Sequence, residues 1–115
     1  MTAFEIRLNG EYICTAGVEQ KGSLSAITSW LKRTDGTSEE EMKLNVGGLT
    51  EDSEGNNIFL KWIIDRSLEV GDELNIKIVQ ASEVDKPISE KREEANFIEE
   101  QQRRYYEKLK QKFEN

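Results

Sequence analysis

The sequence has no histidine, one cysteine and one proline among its 115 residues. Without histidine the commonest general base, the usual nucleophile–base triads and the imidazole metal ligand are all missing. Cys14 cannot form an internal disulfide, and a lone cysteine without histidine excludes the ordinary structural zinc sites. An unpaired thiol fits a reducing compartment, so a cytoplasmic protein is expected. No apolar run approaches the roughly 18 residues that span a bilayer, and residues 1–8 lack the basic-then-apolar layout of a signal peptide, so no membrane is expected as a partner.

Positive charge is also scarce. Sixteen Lys and Arg stand against 23 Asp and Glu, giving a net charge of −7 and a pI near 4.7. Nucleic-acid binding needs clustered cations, so DNA and RNA are not expected as direct partners. The apolar fraction is 36% and the charged fraction 34%, a balance that allows one core and leaves some segment solvated.

What is present reads mainly as strand. Phe4, Ile6 and Leu8 alternate with Glu5 and Arg7, and Asn9-Gly10 suits the two positive-φ positions of a type I′ turn. The chain should return over residues 11–16, with Leu8 opposite Glu11, Ile6 opposite Ile13 and Phe4 opposite Thr15. That pairing places Ile13 on the core side and Cys14 on the opposite face with Tyr12, Glu5 and Arg7. Residues 22–32 fit a helix or a strand by spacing; the serines together with Thr28 and Trp30 favour the strand. Met42, Leu44 and Val46 alternate and then meet Gly47-Gly48, read as strand termination because no Gly-Lys-Ser/Thr and no helix follow. Residues 58–64 form an apolar strand, and a Gly71-Asp72 turn leads to a sixth alternating run, Leu74, Ile76 and Ile78. Short strands with turns between them predict a mainly β fold, a small antiparallel β-sandwich or partly open barrel of about six strands.

Pro87 is expected to end this β domain (residues 1–87), and Ser89 reads as the N-cap of one long C-terminal helix over residues 90–113. Residues 1–87 hold 9 basic and 16 acidic residues, whereas residues 88–115 hold 7 of each. The whole net charge therefore belongs to the β body. Within the tail, residues 88–101 carry 2 basic and 5 acidic groups and residues 102–115 carry 5 and 2, the arrangement a helix macrodipole favours. At helical spacing Ile88, Ala95, Ile98, Tyr105, Tyr106, Leu109 and Phe113 share one arc, interrupted by Lys91 and Gln102. Such a stripe packs either on the chain's own sheet or on a partner.

These patterns make a non-catalytic protein–protein interaction domain the leading expectation. Its partner, a second protein or another copy, would meet the C-terminal stripe at Ile98, Tyr105, Tyr106, Leu109 and Phe113, with Arg103 and Arg104 beside it, or would meet the acidic body. An inhibitor or immunity-type protein, whose acidic face covers a basic active site, is one form of this idea. The alternative is a small-ligand or carbohydrate-binding β domain using Trp30, Trp62 or Tyr12. No cofactor and no metal are expected: taking Gly55 as the sixth position of an EF-hand loop puts Thr50 first and Lys61 twelfth, where carboxylates are required. Glu51, Asp52 and Glu54 accordingly read as solvated turn residues, as do Glu39, Glu40 and Glu41. An enzyme is not expected, since a carboxylate-only site needs two acids converging in a cleft and no spacing demands it.

Overall fold

The computed structural model describes residues 1–33 and 39–93. Alternation builds β1 (Thr2–Leu8), and the following turn takes φ values of 53° at Asn9 and 81° at Gly10, which returns the chain as β2 (Glu11–Gly17). Then come β3 (Gly22–Lys32), β4 (Glu40–Glu51), β5 (Asn57–Ser67), β6 (Leu74–Gln80) and β7 (Ser89–Glu93). The strands form two antiparallel sheets, a three-stranded one in the order β2-β1-β6 and a four-stranded one in the order β3-β4-β5-β7. The mainly β expectation holds, and no helix among the described residues is long and apolar enough to cross a membrane.

The core draws on both sheets. Ile6, Cys14 and Ala16 come from the first sheet, and Leu44, Val46, Trp62 and Ile63 from the second, with Phe4, Leu24, Leu60 and Leu74 packed around them. Ile6, Leu44 and Val46 are the largest fully buried side chains. Truncating any one of them to alanine should cost roughly 1–5 kcal/mol through lost transfer energy and the cavity left behind.

Local irregularities decide what this core contains. The β1–β2 hairpin begins in the expected register, Leu8 opposite Glu11 and Arg7 opposite Tyr12, but Ile6 then faces Cys14 rather than Ile13. Ile13 is the extra residue of a β-bulge, and one extra residue turns every later side chain to the other face. Cys14 is thereby buried, 7% exposed, beside Ile6, a correction to its expected outward position. A comparable step in β5 pairs Gly47 with Lys61 and Val46 with Ile63, leaving Trp62 extra. Two successive residues, Trp62 and Ile63, therefore both face inward, at 5% and 6% exposure.

Gly47-Gly48 does not end a strand. β4 runs through both glycines to Glu51. A Cβ at Gly47 would lie 2.9 Å from the Leu60 carbonyl oxygen, and one at Gly48 would lie 2.8 Å from that of Ser23. The pair lets β5 and β3 approach closely from either side.

Ser89 is not a helix N-cap. It opens β7, which pairs with β5 from Lys61↔Ser89 to Asn57↔Glu93, and the Ile88 N–H donates to the Lys61 carbonyl at 2.8 Å. An open sheet edge satisfies this backbone, and that tertiary pairing overrides the local capping signal. Residues 90–93 of the expected helix are thus strand, and the rest of it lies outside the described residues.

Candidate functional site

On the inner face of the four-stranded sheet, Thr50, Ile58, Leu60 and Glu90 share one side by register. The three-stranded sheet covers Val46 and Trp62 but leaves this end of the face open. The gap is walled by residues 18–20 after β2 and by residues 84–87 between β6 and β7. Together these segments enclose a cleft of about 500 Å³, open on one side, with Ile58, Leu60 and Trp62 lining it. Val18, Val84 and Pro87 extend its apolar surface.

Five carboxylate residues line the same cleft, Glu19, Glu51, Asp52, Asp85 and Glu90, and no Lys or Arg does so among the described residues. Met1 is also at its edge, with the N-terminal ammonium donating to the Ala81 carbonyl at 2.8 Å. Arg92, opposite Ile58 on β7, is committed to Asp52 at 3.1 Å and Glu54 at 2.9 Å. Glu19, Glu51 and Glu90 form no ion pair among the described residues. The cleft therefore joins an apolar floor to a rim with more carboxylates than cations among the described residues, a field that attracts cations and repels anions.

Two of the acids also have structural work. Asp52 accepts from the backbone N–H groups of Glu54 and Asn56, both at 2.9 Å, and from Asn56 Nδ2 at 3.0 Å. The Asn56 side chain first, then these backbone donors, hold its carboxyl below the ordinary value. Asp52 thus organises its turn rather than simply facing solvent. Asp85 ties the sheets together: Oδ2 accepts from Tyr12 Oη at 2.6 Å and from the Thr15 N–H at 2.7 Å, while its carbonyl accepts Trp62 Nε1 at 2.7 Å. Its own N–H donates to the Thr15 carbonyl at 2.9 Å. The Tyr12 hydroxyl and the Thr15 N–H lower its carboxyl. Partial burial, then the Asp85 bond, raises the Tyr12 phenol.

Of the three aromatic residues expected to bind a ligand, Tyr12 and Trp62 meet through Asp85 but from different sheets. Trp62 is a core residue at the cleft floor. Tyr12 lies on the outer face of the hairpin, with the Arg7 guanidinium 5.5 Å from its ring centre. Trp30 stands apart, 62% exposed on β3, its Nε1 donating to Glu40 Oε2 at 3.1 Å. The three do not form one stacking surface. Cys14 is buried, and burial first, then Asp85, pushes its thiol up, which suppresses thiolate.

The expected partner-binding residues Ile98, Tyr105, Tyr106, Leu109, Phe113, Arg103 and Arg104 all lie outside the described residues. The cleft residues other than Trp62 were not marked as a site by the sequence. They come from five separate stretches of chain, and only the excess of acid over base in residues 1–87 hinted at them. No family model matches the chain, and no curated protein or solved structure does either.

Proposed function

We propose that this chain is a non-catalytic protein-interaction domain whose acidic β body receives a cationic, partly apolar segment of a partner protein in the cleft between the sheets. The observation that supports this reading is the pairing of an Ile58–Leu60–Trp62 floor with five lining carboxylate residues and, among the described residues, no lining Lys or Arg. A Lys or Arg side chain matches both features, since its methylene stem covers apolar surface while its head reaches a carboxylate. An inhibitor that covers a basic site on its target is one form of this reading.

Labelled peptides alternating Lys with Leu, and Glu with Leu, test it by fluorescence anisotropy. The Lys peptide should bind and the Glu peptide should not. Raising salt from about 50 mM to about 500 mM should weaken the complex, because exposed charges are screened. The combined E51K and E90K exchange should weaken it at least about tenfold. Equal binding of both peptides, or indifference to the exchange, sinks the proposal.

A second reading is a small-ligand site, favoured by the cleft's volume, which falls within the usual range for such sites. It predicts that a free polyamine such as spermidine binds as tightly as the Lys peptide. Weaker binding of the polyamine favours the protein partner.

A further inference from the structure

The longest uncharged run of the sequence, residues 22–31, falls on an edge of a sheet. β3 pairs with β4 along its full eleven residues and has no strand on its other side among the described residues. Every second N–H and C=O of β3 therefore points away from the sheet.

The other edges are guarded. Asp85 closes β2 at Thr15, taking its N–H on Oδ2 and donating to its carbonyl. β7 is five residues long and four of them are charged. β6 carries Lys77 at its middle. Among the described edges only β3 presents a long uncharged run, residues 22–31. It also leaves large apolar side chains uncovered: Ile27 at 56% and Leu31 at 49% on the outer face, and Trp30 at 62% on the inner face.

We propose that the β3 edge takes an extended segment of a second protein as an added strand, a segment uncharged and β-branched at its centre and acidic at its ends. The added backbone would satisfy the outward N–H and C=O groups, and its side chains would cover Ile27 and Leu31 on one face and Trp30 on the other. The acidic ends follow from the cations that bracket the strand. Lys21 precedes it, and Lys32 and Arg33 close it, with Arg33 only loosely engaged by Glu41 at 4.0 Å. A second copy fits poorly, because full antiparallel overlap of two β3 strands sets Lys21 of each chain against Arg33 of the other. This surface is separate from the cleft and does not depend on it.

The test is amide hydrogen exchange by NMR on the full chain with three peptides: alternating Val and Thr flanked by Asp, the same core flanked by Lys, and the Asp-flanked peptide with a central Pro. The Asp-flanked peptide should protect alternate β3 amides and bind roughly tenfold tighter than its Lys-flanked twin. The Pro peptide should protect none, because it cannot continue the ladder. Protection along β6 instead of β3, or equal binding of the Pro peptide, overturns the proposal. So does sedimentation of the peptide-free chain as a dimer with those amides already protected, since a copy then occupies the edge.

Discussion

Asp85 sits where the crossover from β6 to β7 meets both sheets, so replacing it with alanine is the most informative perturbation of the fold. The exchange removes two bonds on one oxygen, from Tyr12 Oη at 2.6 Å and the Thr15 N–H at 2.7 Å, and leaves the backbone bonds to Thr15 and Trp62 in place. A net hydrogen bond contributes about 0.5–1.5 kcal/mol, more when one partner is charged and less when the site is solvated. Asp85 is exposed, so the two together should be worth about 1–2 kcal/mol. For a domain near this size that lowers Tm by roughly 5–10 °C. Because folding depresses the Asp85 carboxyl, its stabilisation is present above the unfolded value of about 4 and fades as pH falls through the folded value. Urea unfolding of wild type and Asp85→Ala should show the gap at pH 7 and its narrowing below about pH 4. Tyr12→Phe should cost less stability in the Asp85→Ala background than in wild type, since only the bond between Tyr12 Oη and Thr15 Oγ1 at 2.7 Å is then left to lose. No loss at pH 7, or a gap that persists unchanged into acid, would refute the assigned role.

Three further outcomes follow from the irregular strands. Cys14 should react with a thiol reagent at least about a hundredfold more slowly in the native chain than in urea, since it is both buried and held as thiol; comparable rates would place it on the surface. Gly48→Ala should destabilise by about 1–3 kcal/mol in chemical denaturation, because its Cβ would press on the Ser23 carbonyl at 2.8 Å and on Val18 Cγ2 at 3.1 Å. Asn45→Ala should cost about 1–2 kcal/mol by the same assay, since Asn45 Oδ1 accepts the Asp65 N–H at 2.9 Å and its Nδ2 donates to Asp65 Oδ1 at 3.2 Å. Those bonds hold Asp65 at its positive φ of 46°.

Where local pattern and tertiary pairing agree, the strands were legible from residues alone. Phe4, Ile6 and Leu8 alternate, Asn9-Gly10 supplies the turn, and the serine- and threonine-rich stretch at 22–32 chooses strand over helix. The bulges at Ile13 and Trp62 were not legible, because a period-two pattern carries no mark of the residue that will be left over. One such residue moved Cys14 from an outer face into the core. Gly47-Gly48 is ambiguous in sequence for a related reason: a glycine pair ends a strand or admits close neighbours, and only the flanking β3 and β5 decide which. Ser89 carries a valid capping signal, yet an open edge of β5 was a stronger partner for that backbone. The cleft was beyond sequence reading altogether, since Val18, Ile58, Leu60, Val84 and Glu90 meet only through the two-sheet packing.

The proposed function turns on whether a cationic segment enters the cleft between the sheets. A ¹H–¹⁵N correlation titration of the full chain with the Lys–Leu peptide tests it most directly. The Trp62 indole N–H and the amides of Ile58, Leu60 and Glu90 should shift together and saturate at one concentration. Shifts confined to other surfaces, with those four signals unmoved at saturation, would contradict it.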